Sequence, residues 1–409
     1  MKVGIYTLGC KVNTYESEFI LDMFKNRGYE ISSFDDECDI YIVNTCTVTN
    51  NSDKKDRKVI NGIKGKGLCT VVCGCFVENP GNYDFNGIDI VIGNTHKSEI
   101  VSLVENFLEN KKHIHLTDNI MLSSFEDMEI THFNDRTRAF VKIQDGCENY
   151  CAYCVIPFVR GRQRSKDKDK VMEEITNLVK NGYKEIVLTG IHTGSYGVDL
   201  GIRFTDLLKE LLSIDGLKRL RISSIEITEL DEEFLNLLKD KRLCNHLHIP
   251  LQSGSDNVLV SMNRKYNKAK YKEIVDKIRS IRPDISLTTD VIVGFPGETD
   301  EDFEECLNFI KEINFSKVHV FPYSKRTGTK ASRMTNEVSP IVKKQRVKRL
   351  IELSDILEKE YYNKFKGQEL EVLVEKVEGG IAYGHTSNYL YLSCEGDYKN
   401  NEFYMFKVK

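Results

Sequence analysis

The sequence predicts an α/β protein in three parts: an N-terminal parallel α/β domain, an open, partial (βα)6 barrel and a small C-terminal β-barrel. Three observations carry that expectation. Residues 1–112 alternate short apolar runs with helical periodicity, residues 137–366 repeat strand-then-helix six times, and from Gly367 the helical repeat gives way to the strand repeat. At 409 residues the chain exceeds what one ordinary core supports, so two or three domains are expected on length alone.

In the first part, strands are expected at residues 3–8, 39–43, 69–72 and 88–92, with helices between them; Phe19, Ile20, Met23 and Phe24 mark the buried face of the first helix. Cysteines follow three of these strands closely: Gly9-Cys10, Thr45-Cys46 and Gly74-Cys75. In an open parallel sheet the strand C-termini share one edge, where ligands bind, so Cys10, Cys46 and Cys75 should converge. Three buried, inert cysteines are the plainer reading. Cys73 offers a second thiol on the third strand, and Cys75 is preferred because it lies at the strand end beside a glycine. Cys38, Cys69, Cys244, Cys306 and Cys394 have no partner at metal spacing and are read as core.

Residues 113–136 are polar and aperiodic and are read as a linker. Beyond them, strands are expected near residues 140–144, 185–189, 220–224, 246–251, 286–293 and 317–321, alternating with helices such as 170–180, where Val171, Ile175, Leu178 and Val179 share a face. Six units do not close an eight-stranded barrel, so the barrel stays open at one side, with room for a macromolecular substrate. After its first strand comes Cys147-Glu148-Asn149-Tyr150-Cys151-Ala152-Tyr153-Cys154, a CxxxCxxC motif at the C-terminal end where barrel sites are built. Three thiolates can hold three irons of a cubane cluster and leave the fourth open to a small molecule. Tetrahedral zinc needs a fourth ligand, and no cysteine or histidine follows Cys154 until His192. His192, His246 and His248 are read as satisfying local hydrogen bonds.

A basic helical segment, 338–365, leads to short strands near 370–375, 382–385, 389–392 and 403–406, in which Tyr383, Tyr389 and Tyr391 can stack on unpaired bases or pack the barrel. Twelve cysteines, no signal-peptide pattern and no long apolar stretch predict a soluble cytoplasmic protein that keeps its thiols for metal or core rather than for disulfides. A net charge of −4 argues against wholesale polyanion binding, so nucleic acid would be met by local patches.

Over nearly its whole length the chain resembles the radical S-adenosylmethionine (SAM) methylthiotransferases. The resemblance rests on Thr7-Leu8-Gly9-Cys10-Lys11-Val12-Asn13, Asn44-Thr45-Cys46-Thr47, Gly74-Cys75, the CxxxCxxC motif, Gly294-Phe295-Pro296-Gly297-Glu298 and a C-terminal region like a TRAM domain; Cys73 stands where the family has threonine. It implies two [4Fe–4S] clusters, one on Cys147, Cys151 and Cys154 that cleaves SAM and one on Cys10, Cys46 and Cys75. Within the family the chain looks most like the branch acting on N6-threonylcarbamoyladenosine beside the tRNA anticodon. Sibling branches act on isopentenyladenosine in tRNA or on a ribosomal-protein aspartate. Strand ends carrying Thr189, Gly190, Glu226, Gln252 and Asp290 are then expected to hold SAM. Arg160, Arg162, Arg164, Lys54 and Lys55 are expected to meet anticodon-arm phosphates, which position RNA without reading it. An electron donor such as flavodoxin or ferredoxin is implied as a partner. A zinc-stabilised RNA-binding protein without enzymatic activity is the rival reading.

Overall fold

The computed structural model describes residues 1–130, 133 and 137–409. Its N-terminal sheet contains β1 (Lys2–Thr7), β2 (Glu30–Ile31), β3 (Ile40–Thr45), β4 (Cys69–Gly74), β5 (Ile90–Ile92) and β6 (Ile114–Leu116), all parallel in the order β2-β1-β3-β4-β5-β6. Helices α1 (Lys11–Asn26), α2 (Asn50–Ile63), α3 (Cys75–Glu78) and α4 (Ile100–Asn110) connect them. β3 and β4 are buried at every position, because helices cover both faces of the sheet and leave no polar side to alternate with. Two strands depart from expectation. β2 is a two-residue edge, and β6 lies in the stretch read as linker, where only pairing with β5 makes Ile114 to Leu116 a strand. Ile120, Met128, Ile130 and Phe133 of that stretch are buried as well; its residues 131, 132 and 134–136 lie outside the described set.

The central domain has the six parallel strands expected: β7 (Arg138–Asp145), then β9 (Glu185–Gly190), β10 (Arg219–Ile222), β11 (His246–His248), β12 (Ser286–Val293) and β13 (Lys317–Pro322). A two-residue β8 (Arg164–Ser165) pairs antiparallel with the edge of β7. Between β10 and β11 the ladder thins to a Leu220–Leu243 bridge and an Ile225 N–H donated to the His248 carbonyl, so the six strands form an open arc. Outside them lie α5 (Ile156–Arg160), α6 (Lys168–Lys180), α7 (Phe204–Leu211), α8 (Glu232–Leu237), α9 (Asp256–Ser261), α10 (Lys268–Ile281), α11 (Asp300–Ile313) and α12 (Pro340–Asn363). The largest apolar core fills the space between strands and helices, with Val171, Ile175 and Leu178 of α6 among it, and it takes in Tyr15 and Phe19 of α1.

The C-terminal sheet, β14 (Glu369–Glu378), β15 (Ile381–Thr386), β16 (Tyr391–Glu395) and β17 (Phe403–Lys407), is antiparallel in the order β16-β15-β14-β17 and curls until its edge strands meet. It docks on the N-terminal ends of the barrel strands. Arg219, first residue of β10, donates to the Glu371 and His385 carbonyls at 2.8 and 3.1 Å and lies over the Phe403 ring. Tyr389 stacks on His246 with ring centres 4.7 Å apart and lies under Arg221, so of the three tyrosines considered for bases it is spent on docking. Tyr391 remains exposed, stacked beside Tyr383.

Candidate active site

β7 ends at Asp145 and the chain turns at Gly146, φ 71°, into the CxxxCxxC loop. A Cβ on Gly146 would sit 1.9 Å from the Arg162 carbonyl oxygen, so the turn requires glycine. Gln144 holds the loop from below: its amide donates to the Asp145 and Gly146 carbonyls at 2.9 and 2.8 Å, and its Oε1 accepts from the His192 N–H at 2.7 Å. Distant segments hold it from the sides, with the Cys147 N–H donated to Gly161 and the Ala152 N–H to Met262. Arg264 Nη1 donates to Cys151 Sγ at 3.2 Å and pairs with Glu226. Burial lowers the His192 pKa, but hydrogen bonds to Cys147 and Glu229 outweigh it and bring it to about 10. Burial, reinforced by Cys151, pushes the Cys154 thiol up to about 12. These thiols ionise on meeting a metal, which displaces their protons.

The three N-terminal cysteines converge as the sheet topology requires, since β1, β3 and β4 are adjacent. Cys10 caps α1, Cys46 follows β3 directly and Cys75 opens α3. The thiols act on one another: burial and then Cys75 push Cys46 up to about 12, with Cys10 adding to the effect. Cys75 Sγ accepts from Arg160 Nε at 3.2 Å and from Asn94 Nδ2 at 3.5 Å. Cys73 is fully buried in the apolar core with Val71, Ile92 and Val104.

Arg160 corrects an expectation. The sequence places it among the phosphate contacts, yet it is 0% exposed, because α5 turns it inward against the N-terminal domain. Its guanidinium meets Glu16 and Asp145 at 2.8 and 3.1 Å, Asn13 Oδ1 at 2.8 Å and the Cys75 sulfur. Arg164 is corrected likewise: it is buried, donates to the Arg160 carbonyl at 2.9 Å and lies beside Asp145. Neither side chain can reach a phosphate. Lys97 and Lys142, each 2.9 Å from Glu16, complete a buried network across the two domains. Arg162, Lys54 and Lys55 are exposed.

A cavity of about 210 Å³ opens beside Cys154 where the domains meet. Val48 and Thr49 of the N-terminal domain face Tyr153, Ile292, Phe321 and Tyr323 across it. Of the residues expected to hold SAM, Gln252 and Asp290 line this cavity, whereas Glu226 lines a small recess with Cys151 and Arg264. Thr189 is buried, and Gly190 gives its side-chain room to Gln144. Sequence reasoning missed Arg264 and the inward turn of Arg160. Neither stands at a spacing that relates it to a cysteine, and only the fold brings them there.

Two family models match the chain: the Radical SAM superfamily over residues 141–310 and the Uncharacterized protein family UPF0004 over residues 2–93. A threonylcarbamoyladenosine tRNA methylthiotransferase of Bacillus subtilis is 45% identical over 96% of this chain and 90% of its own; that of Aquifex aeolicus is 39% identical over 97% of each. The chain belongs to the radical SAM methylthiotransferases. A tRNA-2-methylthio-N6-dimethylallyladenosine synthase of Acetivibrio thermocellus stands further off, 35% identical over 96% of this chain and 85% of its own. Among solved structures, a radical S-adenosylmethionine methyltransferase from Kitasatospora setae shares the fold, with a TM-score of 0.55 at 15% identity over 78% of this chain and 74% of its own. For a methylthiotransferase the site's two halves have a physical division: one cysteine set belongs to the barrel, the other to the N-terminal sheet, and Arg160 stands between them.

Proposed function

We propose that the protein attaches a methylthio group to C2 of N6-threonylcarbamoyladenosine at position 37 of tRNA, in the cytoplasm, using SAM and two [4Fe–4S] clusters. The observation that carries this reading is the pair of three-cysteine sets at strand C-termini of two domains, linked through Arg160, with a cavity beside Cys154 to which Val48 and Thr49, just after Cys46, also contribute. Both sets suit iron–sulfur ligation. Each offers three thiols, and donors already aim at the sulfurs: Arg264 at Cys151 and Arg160 at Cys75. Cys147, Cys151 and Cys154 would hold the cluster that binds SAM, and Cys10, Cys46 and Cys75 a second one; together these groups would supply the radical chemistry that an unactivated C–H bond needs and the sulfur for the methylthio group.

The chain's own residues then have definite tasks. Gln144 and Gly146 hold the barrel loop in place, while Arg264 and His192 offset negative charge on its sulfurs. Ile292, Phe321 and Tyr323 give the cavity an apolar wall, and Gln252 and Asp290 offer polar contacts to SAM. Arg162, Lys54 and Lys55 are the exposed cations left to meet the anticodon arm, with Tyr391 of the curled sheet free to stack. The electron comes from a small donor such as flavodoxin or ferredoxin. No helix among the described residues is long and apolar enough to cross a membrane.

Mass spectrometry of tRNA nucleosides tests the reading. Cells lacking the protein should lose 2-methylthio-N6-threonylcarbamoyladenosine and regain it on complementation; unchanged nucleoside would overturn the assignment. Cys10→Ala, Cys46→Ala or Cys75→Ala should still cleave SAM reductively without forming product, whereas Cys147→Ala should do neither.

A further inference from the structure

Three adjacent barrel strands bring together two histidines that the reaction above leaves unused and Asp290, which it assigns to SAM. His248 on β11, Asp290 on β12 and His319 on β13 place one ligand atom each within 4.8 Å of the other two, and they are the one such group of three among the described residues. His248 Nε2 lies 3.3 Å from Asp290 Oδ2. Two donors bound to one ion at about 2.1 Å in a tetrahedral shell stand about 3.4 Å apart, so this pair already has ligand spacing. The other nitrogen of the ring is positioned as well: His248 Nδ1 is 2.9 Å from Thr288 Oγ1, a contact that orients the ring with Nε2 toward Asp290, where an ion would displace any proton the pair shares. Thr288 is held in turn by His246 Nε2 at 3.0 Å. Asp290 lines the cavity beside Cys154, and His319 is exposed, so the group is open to solvent and to small molecules.

We propose that His248, Asp290 and His319 bind one divalent transition-metal ion, of the zinc, manganese or iron(II) class, as a two-histidine, one-carboxylate site on the cavity wall. Two neutral imidazoles and one carboxylate suit such ions and exclude the sulfur-loving monovalent ones. Remaining coordination positions would be taken by water or by an oxygen of whatever fills the cavity. The site is separate from both cysteine sets and shares only Asp290 with the SAM contacts proposed above.

The test uses the anaerobically purified protein with its iron retained, titrated with Mn²⁺ and followed by loss of the free-ion signal in electron paramagnetic resonance. One ion per chain is expected, displaced by Zn²⁺. His319→Gln, at an exposed position, and Asp290→Asn should each weaken binding at least about tenfold with iron and sulfide content unchanged. Thr288→Val keeps all three ligands but releases the His248 ring, and should weaken binding less. Absence of saturable Mn²⁺ uptake at millimolar concentration, or uptake that both ligand variants leave intact, would reduce the group to a hydrogen-bonded triad and overturn the proposal.

Discussion

Arg160 shows how much one residue can change when its neighbours are known. In the sequence it stands in a run of three arginines two residues apart and reads as a solvated or phosphate-binding charge. In the fold it is a buried donor to the Cys75 sulfur, neutralised by Glu16 and Asp145. Hydrogen bonds to cluster sulfurs stabilise the reduced state. Arg160→Gln should therefore lower the reduction potential of the N-terminal cluster, read by a spectroscopically monitored redox titration, while Arg160→Lys keeps the charge and shifts it less. Equal potentials in all three proteins would show that the contact is structural only.

At the scale of the element, the CxxxCxxC loop is held by backbone geometry as much as by its cysteines. Gly146→Ala meets both a positive φ and a carbonyl oxygen at 1.9 Å, so the loop must shift. Iron bound per chain should fall by the share carried by the barrel cluster, with the N-terminal cluster kept; full iron content would show the turn to be more forgiving than its geometry. The barrel strands were legible from their recurrence between helical stretches, most plainly where burial on both sides gives an apolar run, as in β7 and β9. β2, β6 and β8 were not, being short strands at sheet edges, defined by a partner strand rather than by any pattern of their own.

Across the whole molecule, the buried charges between the domains link stability to pH. Burial alone would raise the Glu16 pKa, but Arg160, Lys142 and Lys97 hold it well below the carboxylate range; Asp145 is depressed in the same way by Lys142, Arg160 and Arg164. A carboxylate depressed in the folded state contributes stability that is present above its unfolded pKa, about 4, and is lost as pH falls toward the folded value. Unfolding free energy should thus drop steeply below about pH 4. Glu16→Gln should flatten that dependence and cost roughly 3–5 kcal/mol at neutral pH, because it leaves three buried cations short of a partner. Denaturant unfolding across pH measures both.

The sequence by itself determined the class of fold, the six barrel strands, the change of period at Gly367 and the three thiols of the barrel loop. These are local: apolar periodicity and short spacing survive without knowledge of what lies opposite. It also placed Cys10, Cys46 and Cys75 on one edge, because parallel sheets put strand C-termini together whatever their separation along the chain. The tertiary structure alone decided where the long side chains point. Arg160 and Arg164 turn inward, Tyr389 becomes a docking surface for the barrel base, and Arg264 reaches a sulfur more than a hundred residues away. A long cationic or aromatic side chain is equally at home on a solvated face and in a buried pair. Which it takes depends on the charges and rings across the interface, and those come from other parts of the chain.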